Sequence, residues 1–160
     1  ATSDQLGNEL IHIIERNVMD IPDPAELLAT GVRLFIETAR QFPLLGKFMS
    51  KAGLDSVGPG HLIYEYLPVH ISKGMEQGRF VEMPMVVALD LIRGAALMSV
   101  SRAERDECYP EETVASMLRG FGLAPEVANQ LVRKPLPDLN ILENSLLERS
   151  AVRAANAMAA

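Results

Sequence analysis

The sequence predicts an all-α fold, a single-domain bundle of about seven to nine helices. Apolar residues recur with the 3.6-residue period of a helix along most of the chain. Aromatic residues make up only 5% of the 160 residues, and Trp is absent. Runs of Val, Ile and Thr are short, so no segment predicts a convincing strand. A chain of this length is long enough for one ordinary domain with its own core.

The first two predicted helices have clear start and stop signals. Ser3 or Asp4 provides an N-cap for the first helix, which we expect to stop at Ile21-Pro22. The second begins at the sequence Asp-Pro-Ala-Glu of residues 23–26, with an acidic cap, a proline at the first helical position and a glutamate three residues after the cap. We expect Pro43 to end it.

The middle of the chain predicts a short helix, a loop and a longer helix. Residues 44–52 fit the short helix, and the three glycines and one proline of residues 53–60 predict the loop. The longer helix extends from His61 to about Arg79 and contains Pro68, whose missing amide predicts a kink.

The remaining chain predicts four more helices. A helix over 84–105 is apolar on nearly every side, so it must be covered by more than one neighbour. Helices over 110–121 and 125–134 follow. We expect residues 1–135 to form the main domain, and residues 136–160 to add a C-terminal helix, over about 139–158, that packs on it.

Two glycines one helical turn apart interrupt the helical pattern at GMEQGRF, residues 74–80. Gly78 suits the end of a helix, where a left-handed backbone is least costly for glycine. Gly74 is not explained by a cap, and we expect it to permit the close approach of a neighbouring helix, with Phe80 turned back onto the core.

Charge and composition exclude several classes of function. A net charge of −6 disfavours direct binding to a phosphate backbone. The longest apolar stretch, residues 83–100, is interrupted by Asp90 and Arg93, so we expect no membrane partner. Cys108 is the single cysteine, which suits a reducing cytoplasm.

The sequence offers no complete catalytic or metal constellation. Glu9 and His12 have the E-x-x-H spacing of helical di-iron proteins, but those proteins need the motif twice and two further carboxylates. Cys108 follows Asp106 and Glu107, and negative neighbours raise the pKa of a thiol and make it a poor nucleophile. We therefore expect no catalytic residue, no metal, no cofactor and no enzyme activity.

Three segments resemble the ligand-binding and dimerisation domain of TetR-family transcriptional regulators. LIYEYLPVHISKGMEQGRFVEMPMVVALDLIRGAALM, residues 62–98, is similar to a long family helix that ends in G-x-x-x-G-x-[FLI] and is followed by a helix with a small-residue patch. LRGFGLAPE, residues 118–126, is similar to the family ending L-x-G-[LF]-G-[LI]-x-P-E. ARQFPLLGKFM, residues 39–49, matches a recurrent step between two helices. The resemblance covers roughly residues 4–134, and the family's N-terminal helix-turn-helix has no counterpart in this sequence.

The resemblance implies a small-molecule effector bound among the helices, and an apolar lining favours a small lipophilic or aromatic compound. The same residues also suit an ordinary core, and this alternative stays open. The candidate ligand-binding residues are Phe35, Phe42, Met49, Tyr64, Leu67, His70, Ile71, Leu89 and Ile92.

The resemblance also implies a homodimer, in which helices 84–105 and 110–121 meet their symmetry mates as a four-helix bundle. Arg93 and Arg119 are placed to pair with acids at the rim. Alternatively, the same apolar residues form the core of the monomer. The candidate interface residues are Val87, Leu91, Ala95, Met98, Val114, Met117, Leu118 and Phe121.

The sequence thus favours the effector-sensing, homodimerising domain of a TetR-like repressor. Operator DNA is expected to be contacted only through the helix-turn-helix that this sequence lacks. The alternative is a helical interaction module that dimerises with a partner regulator without binding DNA itself. A helical-bundle enzyme would need a second E-x-x-H motif or clustered acids on facing helices, which the sequence does not contain.

Overall fold

Seven α-helices and no strand are found in the part of the chain that the computed structural model describes, residues 3–52, 63–103 and 105–139. The all-α prediction is therefore confirmed. None of the helices in these ranges is both long and apolar enough to cross a membrane. In chain order the helices are α1 (Ser3–Val18), α2 (Pro24–Gln41), α3 (Pro43–Ala52), α4 (Ile63–Glu76), α5 (Met85–Ala103), α6 (Pro110–Gly120) and α7 (Pro125–Val132).

Helix α2 is the central element and contacts each of the other six helices. Its start follows the sequence signal, because the Asp23 carboxylate accepts a hydrogen bond from the Ala25 amide at 3.0 Å and Pro24 occupies the first turn. Arg33 is buried within α2 and donates a hydrogen bond of 2.8 Å to the carbonyl of Lys134. This bond fixes the segment after α7 against the central helix.

Two apolar clusters pack on neighbouring faces of α2. The first joins α2, α4, α5, α6 and α7, and its fully buried side chains include Ile36, Ile71 and Phe121. The second joins α1, α2, α3 and α5. Leu136 and Leu139, which follow α7, pack against this second cluster. The chain therefore crosses from one cluster to the other after its seventh helix.

Helices α4 and α6 end in the same hydrogen-bonded form, the Schellman motif. In α4, Gly78 has a φ of 69°, its amide donates to Met75 O at 3.1 Å, and the next amide donates to Gly74 O at 2.8 Å. In α6, Gly122 has a φ of 99° and the amide of Leu123 donates to Leu118 O at 3.1 Å. The prediction that Gly78 caps a helix is confirmed.

The two helix ends also lie against each other. The ring centroids of Phe80 and Phe121 are 5.2 Å apart, and the Val81 amide donates to Phe121 O at 2.9 Å. A Cβ atom added at Gly74 would lie only 2.2 Å from the Phe80 ring. Phe80 thus turns back onto the core as expected, but its own ring, and not a neighbouring helix, fills the space beside Gly74.

Several boundaries differ from those predicted. Helix α1 ends at Val18, before the predicted stop at Ile21-Pro22, and α4 ends at Glu76, where the Schellman motif forms, instead of at Arg79. Pro68 lies inside α4, and the helix continues beyond it. The predicted loop over 53–60 and the C-terminal helix over about 139–158 lie outside the described residues.

Candidate functional site

A cavity of about 60 Å³ lies between α1, α2, α4 and α5. Its polar lining consists of Glu15, Tyr66 and His70, while Gly31 contributes only backbone. The other described lining residues are apolar. They are Ile11, Ile14, Val18, Leu27, Leu28, Val32, Phe35, Leu67, Ile92 and Ala96. An apolar space with a few polar groups is the usual composition of a small-molecule site.

Two hydrogen-bonded pairs join α1 to α4 beside this cavity, and we refer to Glu15, His70, His12 and Tyr66 as the α1–α4 polar seam. His70 Nε2 lies 2.8 and 3.1 Å from the two carboxylate oxygens of Glu15. The side chains of this pair are only 15% and 16% exposed. His12 Nδ1 and the Tyr66 hydroxyl are hydrogen-bonded at 2.9 Å. Polar side chains thus hold α1 against the wall of the cavity that α4 provides.

Gly31 lies in the middle of α2, where no neighbouring atom comes so close that only glycine would fit. A Cβ atom at this position would have Ile14 Cγ2 at 3.7 Å as its nearest neighbour, which is an ordinary van der Waals contact. Glycine inside a helix costs about 1 kcal/mol relative to alanine. What the missing side chain provides here is space, because Gly31 lines the cavity.

Four of the predicted ligand-binding residues, Phe35, Leu67, His70 and Ile92, line the cavity. The others do not. Ile71 and Leu89 are buried in the first cluster, Tyr64 packs against that cluster, and Phe42 packs against the second. The side chain of Met49 lies outside the described residues.

The periodicity of α4 explains this division. Positions 64 and 71 share the face of α4 that meets the first cluster, and the guanidinium of Arg93 lies 5.6 Å from the centroid of the Tyr64 ring. Leu67 lies at the edge of this face, so it packs against the first cluster and also lines the cavity. Positions 66 and 70 lie on the face toward α1, to which they are hydrogen-bonded. The predicted ligand-binding residues around Pro68 therefore come from two different faces of α4.

Sequence reasoning missed the contribution of α1, which places Ile11, Ile14, Glu15 and Val18 at the cavity. The apolar stripe of α1 is visible in the sequence, but a stripe does not reveal which helix covers it. Glu15 could have indicated the site in the sequence, because it is an acidic residue directly beside the apolar stripe of α1. It is recognisable as a site residue only once His70 is placed opposite it.

The predicted dimer residues divide between an exposed and a buried group. On α5, Val87, Leu91 and Met98 are 44%, 42% and 52% exposed. Together with exposed Gly94 they follow the spacing i, i+4, i+7 and i+11 on one helical face, which we call the α5 stripe. Ala95, also predicted, is partly buried and packs against the first cluster.

The α6 residues of the predicted interface are buried in the single chain. Val114, Met117, Leu118 and Phe121 belong to the first cluster and are at most 7% exposed, so they form the chain's own core. The outer face of α6 is polar instead. Arg119 pairs there with Glu112 at 3.4 Å, and on α5 Arg93 pairs with Asp90 at 3.2 Å.

Cys108 is partly buried, and burial raises the pKa of its thiol; Arg40 opposes this effect and Glu37 adds to it. The predicted direction is therefore confirmed, but the main cause is burial and not the adjacent Asp106 and Glu107. In the described ranges no three His, Cys, Asp or Glu side chains group as metal ligands would.

A helical bundle that holds an apolar cavity with polar groups at one wall has the general form of a small-molecule-binding domain. The family model described as "Tetracyclin repressor-like, C-terminal domain" matches residues 23–134, which is more than half of the chain. The protein therefore belongs to this family, as the resemblance of its sequence motifs implied.

Solved structures share the fold. RolR in complex with its ligand resorcinol has 20% sequence identity and a TM-score of 0.70, with 86% of this chain and 70% of that chain covered. RolR without ligand has 14% identity and a TM-score of 0.58, with 86% and 73% covered. No curated protein matches the sequence.

Proposed function

We propose that this chain is the effector-sensing, homodimerising regulatory domain of a TetR-like repressor. The observation that carries the proposal is the apolar cavity between α1, α2, α4 and α5, with the Glu15–His70 pair at its wall. Membership of the tetracyclin repressor-like family supports it. Operator DNA would be contacted by a helix-turn-helix outside this sequence.

Because the cavity is small, binding of an aromatic effector requires a change of conformation. Its 60 Å³ corresponds to about two water molecules, whereas a dry cavity that accepts benzene measures about 150 Å³. An aromatic effector therefore has to displace part of the wall. Two elements of that wall, α1 and α4, are connected by the polar seam, so a bound effector changes the position of α1.

A displacement of α1 would carry the effect of effector binding beyond the cavity. In the family that the sequence resembles, the first helix of the regulatory domain leads to the DNA reader. We propose that α1 transmits effector binding in the same direction. The resorcinol complex of RolR supports a small aromatic compound as the class of effector.

The α5 stripe is the proposed dimer contact. Exposed apolar side chains in a continuous row mark interaction surfaces more often than single exposed residues do. Gly94 lies in the middle of this row, and a Cβ atom there would have no neighbour within 4 Å. Close approach of a second copy of α5 would make use of that space.

The test is a matched pair of glycine substitutions and a titration with resorcinol. Gly31→Ala adds a methyl group to the cavity and improves helix propensity, so we expect the free energy of unfolding to rise by about 0.5–1 kcal/mol. Because the cavity becomes smaller, we expect calorimetric titration to show a several-fold weaker affinity for resorcinol than in the wild type.

The control is Gly120→Ala, an exposed position at the end of α6 with free space around its Cβ. It shares the gain in helix propensity but leaves the cavity unchanged, so its affinity for resorcinol should equal that of the wild type. If the wild type binds resorcinol and Gly31→Ala binds it equally well, the ligand site is not this cavity.

A further inference from the structure

A polar cleft of about 520 Å³ lies between α2, the first turn of α6 and the end of α7, and we refer to it as the α2–α6 cleft. Its described lining shares no residue with that of the apolar cavity. Its charged lining residues are Arg33, Glu37, Arg40, Glu111, Glu112 and Arg133. We propose that the α2–α6 cleft is an additional ligand site, which binds a small organic compound through a single carboxylate group at Arg33.

Arg33 carries this proposal because its charge is buried without an opposite charge in contact. The residue is 8% exposed and is the only buried charged residue in the described part of the chain. Within that part it forms no ion pair. Burial lowers the pKa of its guanidinium, and Glu111 and Glu37 oppose this effect from a distance. A buried charge without a partner is unfavourable, and an anionic ligand would supply the partner.

The hydrogen bond to the carbonyl of Lys134 accounts for only part of the Arg33 side chain. It uses Nη1, at 2.8 Å, whereas a guanidinium carries five N–H donors. A neutral donor would satisfy a carbonyl group without the cost of burying a charge. The charge and the other donors suit a carboxylate, which arginine binds in a bidentate geometry.

The charges of the α2–α6 cleft favour a ligand with one negative charge. Glu37 pairs with Arg40 at 3.4 Å, and Glu112 pairs with Arg119, also at 3.4 Å. The charged lining groups that form no ion pair among the described residues are Arg33, Arg133 and Glu111. Two cations and one acid leave an excess of one positive charge, which a single carboxylate balances. A phosphate dianion would exceed it.

The first turn of α6 and an apolar part of the lining complete the site. Helix α6 begins at Pro110, and its N-cap residue Tyr109 forms no side-chain capping hydrogen bond. The N-terminal end of a helix carries a partial positive charge and open amide groups, and both favour a nearby anion. Ala115, Val132 and Leu136 offer apolar contact to the organic part of the ligand.

The experiment compares benzoate, benzamide and inorganic phosphate by calorimetric titration of the full 160-residue chain at neutral pH. Benzamide has nearly the shape of benzoate but carries no charge. We expect benzoate to bind about tenfold or more tightly than benzamide, because charge-assisted hydrogen bonds are about twice as strong as neutral ones. We expect phosphate to bind more weakly than benzoate, because it carries more negative charge and has no apolar group.

Two substitutions of exposed residues test the charges of the α2–α6 cleft. Arg133→Gln removes a cation, so we expect it to weaken benzoate binding several-fold. Glu111→Gln removes the acid, so we expect it to strengthen benzoate binding several-fold. The matched control is Arg16→Gln, because Arg16 is exposed on α1 and does not line the cleft. Its affinity for benzoate should equal that of the wild type.

Arg33→Met tests the anchoring cation itself. The methionine side chain keeps an apolar stem and loses the guanidinium, so we expect the affinity for benzoate to fall to that for benzamide. Retention of the wild-type affinity in a folded Arg33→Met variant would overturn the proposal. If this variant does not fold, the opposite effects expected at Arg133 and Glu111 decide the question.

Three results on the wild type and the exposed variants would also overturn the proposal. They are equal or absent binding of benzoate and benzamide, binding of phosphate that is stronger than that of benzoate, and benzoate binding that changes in neither Arg133→Gln nor Glu111→Gln. Resorcinol binding should be the same in both variants as in the wild type. The proposed sensor function is therefore tested separately and does not depend on the α2–α6 cleft.

Discussion

The atoms around two glycines explain why the chain carries glycine inside its helices. Gly74 and Gly31 both lie inside helices, where glycine is unfavourable, yet their surroundings are opposite. The position of a Cβ at Gly74 is already filled by the Phe80 ring, whereas a Cβ at Gly31 would make only an ordinary contact with Ile14 Cγ2 at 3.7 Å. The first glycine therefore serves packing, and the second leaves room in the cavity.

A substitution at Gly74 should consequently be more damaging than one at Gly78. Gly74→Ala forces the Phe80 ring away from Phe121, and overpacking of this kind costs about 1–3 kcal/mol. Gly78→Ala meets no atom within 4 Å and pays only for its positive φ, roughly 1 kcal/mol. Denaturant unfolding of the two variants measures the difference, and equal losses would show that the ring moves aside freely.

Helix α5 carries apolar residues on nearly every side, and only some of them are covered by the rest of the chain. One face, with Ala88, Leu89 and Ile92, is buried in the first cluster, and Ala96 and Val100 are buried in the second. The α5 stripe remains exposed. All five buried residues share one side of the helix, and the α5 stripe lies on the other side, so the low amphipathicity of α5 results from two apolar faces, one of which is covered by the chain itself.

The α5 stripe predicts the effect of a charge at its centre. Leu91 is already 42% exposed in the single chain, so Leu91→Glu should cost little stability in the monomer. In a dimer packed through the α5 stripe it would bury two like charges near each other, which is strongly unfavourable. We expect sedimentation to show a species of 17.5 kDa for this variant and twice that mass for the wild type.

The control for this experiment is Val69→Glu. Val69 is 64% exposed and lies on α4, apart from the α5 stripe. This variant should sediment as the wild type does. A wild type that sediments at 17.5 kDa at micromolar concentration would contradict the proposed dimer.

At the scale of the whole molecule, local sequence signals predicted the helices well. The acid and proline at the start of α2 and the glycines at the ends of α4 and α6 act within one helical turn, so they are readable from the sequence. The cavity depends on which faces of α1 and α4 meet. Periodicity defines a face but not its neighbour, and for this reason four of the eight predicted ligand-binding residues whose side chains are described do not line the cavity.

A contact between distant segments should also control the pH dependence of stability. Asp23 caps α2 and receives hydrogen bonds of 3.0 and 2.8 Å from Arg79, which follows the end of α4. Burial alone would raise the pKa of Asp23, but the hydrogen bonds from Arg79 and from the Ala25 amide outweigh it and lower the pKa below its usual 3.8.

The sign of the effect follows from this lowered pKa. The contribution of Asp23 to stability is fully present above the unfolded pKa of about 3.8 and is lost as the pH falls through the lower folded pKa. Asp23→Ala should therefore reduce the free energy of unfolding by about 1–2 kcal/mol near pH 7, through the lost cap and the lost ion pair. Denaturant unfolding from pH 7 to pH 2 should show the difference shrinking below pH 4. A constant difference over this range would contradict the role of the ionised carboxylate.

The way in which α4 is held has a mechanical consequence. Backbone hydrogen bonds of the Schellman motif and the Arg79–Asp23 pair fix its C-terminal end, whereas around Tyr66 and His70 the helix is tied to α1 by side chains alone. If the helix tilts as a rigid body, the pivot lies at Gly74, whose carbonyl accepts the hydrogen bonds of the Schellman motif. Tyr66 lies about 12 Å along the axis from Gly74, so a tilt of about 10° displaces it by about 2 Å. We expect such a small rotation to enlarge the cavity while the anchored end, and the core around Phe80 and Phe121, stays in place.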